Sequence, residues 1–171
     1  GVELYKYNGS ATSLVSDIYP RVNTWMQYGS YPAYLTEYNN ELYFKATSDK
    51  GTELYKYNGS ATSLVSDIYP GKNTWGSQNS SYPEYLTEYN NDLYFFAGNN
   101  EGQALWKYNT SNGLTNVSAI DNNINIINIV KHDNKLYYIS FNDSISTLHQ
   151  YDGTDISELV RGISPLYGSS P

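Results

Sequence analysis

A stretch of 20 residues occurs twice in this chain with a single difference. Gly1 to Pro20 reads GVELYKYNGSATSLVSDIYP and Gly51 to Pro70 reads GTELYKYNGSATSLVSDIYP, so only Val2 and Thr52 differ. A chain that repeats itself at this distance folds as a row of like supersecondary units, each covering a face its neighbour leaves bare. The repetition continues beyond the first pair. Ser30 to Phe44 (SYPAYLTEYNNELYF) returns as Ser81 to Phe95 (SYPEYLTEYNNDLYF). A third copy has diverged but keeps Leu105-Trp106-Lys107-Tyr108-Asn109 and His132-Asp133-Asn134-Lys135-Leu136-Tyr137-Tyr138. A fourth opens at Leu148-His149-Gln150-Tyr151-Asp152-Gly153-Thr154. The anchor leucines Leu4, Leu54, Leu105 and Leu148 are 50, 51 and 43 residues apart.

Each copy holds four short runs of strand-forming residues separated by turn chemistry. In the second copy, strand A is Tyr34 to Tyr38 and an Asn39-Asn40 hairpin turn follows it. Strand B is Glu41 to Thr47, a Ser48-Asp49-Lys50-Gly51 turn leads to strand C at Glu53 to Tyr57, and Asn58-Gly59 is a strong hairpin signal. Strand D is Ser63 to Ile68, after which Pro70-Gly71 breaks the pattern and a longer D–A loop crosses to the next copy. Four antiparallel strands at this period predict an all-β fold, a β-propeller-like stack of four-stranded blades in about 3.5 repeats. A β-solenoid or a sandwich of the same strands is the alternative. The boundaries expected within a single repeat domain, 1–171, are a half blade over 1–20 (strands C and D) and blades over 33–69, 84–119 and 126–165.

Composition agrees with strands. Of the aromatics, 20 are Tyr, 4 Phe and 3 Trp, and a Tyr ring covers a pleated surface while its hydroxyl stays hydrated. The net charge of −7 and only 10 Lys and Arg, scattered singly, argue against nucleic acid and anionic membrane surfaces as partners. No apolar run approaches the ~20 residues that span a bilayer as a helix. The absence of Cys excludes disulfides, thiolate catalysis and Cys-ligated metal. The chain opens directly on Gly1-Val2-Glu3-Leu4, so a removed leader or a longer parent chain is expected.

The pieces Glu53-Leu54-Tyr55, Asn58-Gly59-Ser60, Leu64-Val65-Ser66-Asp67-Ile68-Tyr69-Pro70-Gly71, Pro83-Glu84-Tyr85-Leu86-Thr87 and Leu93-Tyr94-Phe95-Phe96-Ala97 resemble the unit of the ELWxxDGT-repeat family of secreted bacterial and archaeal proteins. The resemblance covers essentially the whole chain. It departs at Tyr5 and Tyr55, where the family has Trp and where Trp106 keeps it; Asp152-Gly153-Thr154 retains the family's Asp-Gly-Thr. The resemblance implies a propeller-like, extracytoplasmic protein, secreted or at the cell surface, with no reaction and no defined ligand.

Chemistry-bearing clusters are few. His132 replaces Tyr38 and Tyr89, and His149 replaces Tyr5, Tyr55 and Trp106, so both are expected to be structural. Carboxylates recur copy by copy (Asp17 and Asp67, Glu37 and Glu88), whereas a glycosidase needs one unique pair across a cleft. No cofactor is expected. Calcium on the B–C turns, through Asp49, Asn99 and Glu101, is weighed against ordinary turns, which are favoured. Two signals stand out. Trp25 and Trp75, with Asn23, Asn73, Tyr19 and Tyr69, lie in the D–A loops, where an aromatic face beside hydrogen-bonding groups suits a sugar. The plainer reading is that each Trp caps the apolar edge of its blade. The acceptor triplet N-x-S/T occurs at Asn8, Asn58, Asn79, Asn109, Asn116 and Asn142.

These readings predict a non-catalytic extracellular or cell-surface repeat protein with a structural and adhesive role, glycosylated and self-associating as a filament subunit. Identical units favour lateral assembly, whereas an enzyme needs one asymmetric cleft. A lectin-like module using the loop Trp residues is the alternative, with glycans as partners. Because 3.5 blades leave a strand edge open, the missing half blade is expected from another copy or from sequence outside the segment.

Overall fold

The computed structural model describes residues 1–20, 28–100, 102–119, 125–142 and 145–163. Fourteen strands and no helix occur among them. They are β1 (Leu4–Tyr7), β2 (Thr12–Ser16), β3 (Ala33–Tyr38), β4 (Glu41–Ser48), β5 (Gly51–Tyr57), β6 (Thr62–Ser66), β7 (Glu84–Tyr89), β8 (Asp92–Asn99), β9 (Gly102–Asn109), β10 (Gly113–Ala119), β11 (Asn125–His132), β12 (Lys135–Asn142), β13 (Ile145–Tyr151) and β14 (Ile156–Ile163). The first two form a two-stranded sheet. The rest form three four-stranded sheets, β3–β6, β7–β10 and β11–β14, each antiparallel with its strands in chain order. The all-β, repeated four-strand architecture expected from the sequence is present.

The turns follow from residue type. Asn39-Asn40, Asn90-Asn91 and Asp133-Asn134 all lie at positive φ, between 44° and 60°, the backbone a two-residue hairpin needs and one that Asn tolerates. The Asn-Gly hairpins are wider than that signal implies. Tyr57 pairs with Thr62, leaving a four-residue loop in which Asn58 Oδ1 accepts the N–H groups of Ser60 and Ala61, both at 2.9 Å. Asn8 does the same in the first unit. The Asn side chain thus replaces the backbone partners that a tighter turn would supply.

Successive sheets pack face to face, and the register fixes which side each residue takes. Leu54 pairs with Lys45 and Ser66, whereas Tyr55 pairs with Phe44 and Leu64, so the two sets point to opposite sides. The Leu54 side, with Tyr43, Val65 and Ile68, packs on Leu93, Phe95, Ala97, Trp106, Tyr108 and Leu114 of the following sheet. The Tyr55 side, with Phe44, Ala46, Tyr57 and Leu64, packs on Leu4, Val15 and Ile18 of the preceding one. The third junction repeats the arrangement, with Tyr94, Phe96 and Leu105 against Leu136, Tyr138 and Tyr151. Every sheet therefore has a presenting side, carrying the anchor leucine, and a receiving side, carrying the aromatic that follows it.

Tyr is frequent because it serves both requirements of such a junction. Tyr38 is buried against Tyr43 and Tyr108, and its hydroxyl donates to the Asn91 carbonyl of the next unit at 2.9 Å. Tyr89 repeats this one unit on, packing with Tyr94 and Tyr151 and donating to the Asn134 carbonyl at 2.7 Å. Each ring removes apolar area from water while its polar end ties neighbouring sheets together. A Lys45–Glu84 ion pair at 3.1 Å crosses the same junction.

Candidate functional site

The D–A loop between β6 and β7 is held by a residue the sequence analysis passed over. Glu53 is fully buried. Its carboxylate accepts the Ile68 N–H at 2.9 Å, the Ser81 N–H at 2.9 Å and the Ser81 hydroxyl at 2.5 Å. One side chain on β5 thereby clamps both ends of the loop. Glu3 makes the same three bonds with Ile18 and Ser30 in the first unit. Burial pushes the Glu53 carboxyl above its ordinary range, against the pull of its donors, and the nearby Asp67 charge adds to the rise. The available signal was the pairing of Glu with a downstream Ser in the two copies that match, and its loss where Ala104 and Thr147 take the Glu position.

The loop is further tied to β5 by the Ser81 and Tyr82 N–H groups, which both donate to the Thr52 carbonyl at 3.1 Å. Gly51 permits this approach, because a Cβ there would lie 1.9 Å from the Asn79 carbonyl oxygen and φ is +93°. Within the loop, Asn73 Oδ1 accepts the N–H groups of Trp75 at 3.0 Å and Ser77 at 3.1 Å. Asn73 is therefore committed to shaping the turn that carries Trp75.

A cleft of about 620 Å³ opens between this loop and the β4–β5 turn. Tyr19, Asp49, Lys50, Lys72, Gln78 and Tyr82 are among its lining residues. Gln78 Nε2 donates to the Asp49 carbonyl at 2.9 Å, so loop and turn form one wall. Two tyrosines, both signs of charge and a carboxamide therefore line one cleft. Tyr19 comes from the first unit, so the cleft spans two units.

The other candidate residues fall as follows. Trp75 is 87 % exposed, so it does not cap an apolar edge as the plainer reading expected, and it stands outside the cleft lining together with Asn73 and Tyr69. Trp25, Asn23, Glu101 and the Asn142 side chain lie outside the described residues. Asp49 lies at the β4–β5 turn and Asn99 at the end of β8; among the described residues no three His, Asp or Glu side chains gather as metal ligands. His149 stacks on Tyr138 with centroids 4.7 Å apart and shares a 2.7 Å hydrogen bond with the Ser140 hydroxyl; burial lowers its pKa. His132 is exposed beside Asp133.

The acceptor asparagines divide by what holds their amide nitrogen. Asn109 Nδ2 donates to Asp92 Oδ1 at 2.6 Å, and Asn79 Nδ2 to the Pro70 carbonyl at 3.1 Å. Asn8 and Asn58 use only Oδ1 in their turns and are exposed, as is Asn116 on β10. A transferase acting on the folded chain is expected to modify Asn8, Asn58 and Asn116 and to spare Asn79 and Asn109. Glycopeptide mass spectrometry measures this, and equal occupancy at Asn109 would refute it.

No protein-family model matches this chain, and no curated protein matches it.

Proposed function

We propose that this chain is a non-catalytic extracellular or cell-surface repeat protein with a structural and adhesive role, similar in kind to the ELWxxDGT-repeat proteins, its sheets acting as blades of a propeller-like arrangement. The observation that carries the reading is the junction used three times in succession, presenting side on receiving side. Repeated junctions make repeated surfaces, which serve multivalent adhesion and self-association, whereas catalysis calls for one asymmetric constellation. Immunogold labelling and fractionation of producing cells test it. Label on the envelope or in the medium is expected, and a cytoplasmic protein would overturn the proposal.

The cleft favours a second reading, a lectin-like module, because its aromatic and polar lining spans two units. Glycan-array binding that is lost in Gln78→Ala and weakened in Tyr82→Ala, both at cleft-lining residues, supports it. Binding unaffected by either change, or no binding at all, removes it.

A further inference from the structure

Two hairpin loops carry a dipeptide with chemistry of its own. Asn58-Gly59 lies between β5 and β6, and Asn8-Gly9 between β1 and β2. All four residues are exposed. Asn58 Oδ1 accepts the Ser60 and Ala61 N–H groups, both at 2.9 Å. Asn8 Oδ1 accepts those of Ser10 at 3.0 Å and Ala11 at 2.9 Å. The glycine nitrogens are unencumbered. Among the described residues no acceptor takes the N–H of Gly9 or Gly59, and nothing stands within 4 Å of the place a Cβ would take on either. A carbonyl carbon whose oxygen is held by two N–H donors is an activated electrophile, because the donors stabilise the charge that grows on oxygen as a nucleophile adds. The next nitrogen along the chain is already beside it, so addition closes a five-membered ring without loss of translational freedom.

We propose that Asn58 and Asn8 are self-modifying sites, at which the folded turn promotes conversion of the side-chain amide to an acid. The Gly59 nitrogen gives its proton to water and bonds to Asn58 Cγ. The Cγ–Nδ2 bond then breaks and Nδ2 leaves as ammonia with that proton. Water adds to the cyclic imide that results. Opening of the new Cγ–N bond gives aspartate, and opening of the original backbone bond gives isoaspartate, whose chain runs through Cβ. Water is the only co-reactant. The aspartate product fits the turn, since Asp152 occupies the equivalent place in the β13–β14 loop and its Oδ1 accepts the Thr154 and Asp155 N–H groups at 2.8 and 2.9 Å. The Asp155 N–H above all, with the Thr154 hydroxyl and N–H, holds the Asp152 carboxyl down to about 2. At neutral pH it is an anion that resists addition, so the reaction ends at this product. Glycosylation competes for the same two nitrogens, Nδ2 of Asn8 and of Asn58. Asn112-Gly113 is the same dipeptide without the clamp. In that turn Asn109 Oδ1 accepts the Ser111 N–H instead, and Gly113 is paired with Asn109 at the start of β10.

The test needs no variant. The unglycosylated full chain is held at neutral pH in isotopically labelled water, once folded and once in urea, and sampled over time by peptide mapping with mass spectrometry. The label enters as each imide opens, so every asparagine that converts is located. In urea the turns are lost, and Asn8, Asn58 and Asn112 are expected to convert at comparable rates. In the folded chain Asn8 and Asn58 are expected to convert at least about tenfold faster than Asn112, because only they keep two donors on Oδ1. They are also expected to convert no more slowly than in urea. Asn112 keeping pace with Asn58 in the folded chain would show that the donors do nothing. Slower conversion of Asn58 in the folded chain than in urea, as a merely rigid turn would give, would equally overturn the proposal.

Discussion

Phe95→Ala is expected to cost about 4 kcal/mol of stability, the largest loss of any single substitution considered for this chain. Phe95 is fully buried in the junction between the β3–β6 and β7–β10 sheets. Removing its ring forfeits the transfer free energy of the side chain and leaves a cavity, because the rigid strands around it cannot collapse into the space. In a stack of sheets, stability is a sum of unit and junction terms. A broken middle junction is therefore expected to divide one urea transition into two, with the first two units separating from the last two. Trp75→Ala is the natural control, since an exposed loop residue is expected to change stability by at most about 0.5 kcal/mol. A loss below about 1 kcal/mol for Phe95→Ala would show that this junction does not carry the fold.

Glu53→Ala is expected to cost about 3 kcal/mol by a different route. It leaves the Ile68 N–H and the Ser81 hydroxyl without the carboxylate they donate to, and the Ser81 N–H with the Thr52 carbonyl alone; each buried donor left unpaired costs on the order of 1–3 kcal/mol. It also frees both ends of the D–A loop, so the cleft wall built from Lys72, Gln78 and Tyr82 is expected to loosen. Protection of the Ser81 amide from hydrogen exchange should fall with it. Glu53→Gln separates charge from shape. Folding raises the carboxyl pKa above its ordinary value of 4.5, so the native chain holds that proton more tightly than the unfolded chain does. The stabilisation linked to it is fully present below the ordinary carboxylate range and is lost as pH rises through the raised native value. Glu53→Gln lacks this dependence, so the difference in unfolding free energy is expected to move in favour of the variant as pH rises. The opposite slope would mean that the donors outweigh burial at Glu53.

The strands and their order were legible because their determinants are local. Asn39-Asn40 and Asp133-Asn134 supply residues that tolerate the positive φ of their hairpin turns, and alternation along Leu42-Tyr43-Phe44 reports two covered faces. The role of Glu53 was not legible, because a Glu in a strand is ordinarily a solvated residue. Its donors lie 15 and 28 residues downstream. The plainer expectation for Trp75 failed for a related reason. A Trp in a loop can turn to an apolar edge or to solvent, and here Asn73 holds the turn that carries it.

By itself, the amino-acid sequence determined an all-β chain of like four-strand units, since hydrophobic alternation and turn chemistry act over a few residues. Only the tertiary structure decided the polarity of the junctions and the burial of Glu53. Those depend on which side of each sheet meets its neighbour, and that choice is made by packing between residues some fifty positions apart.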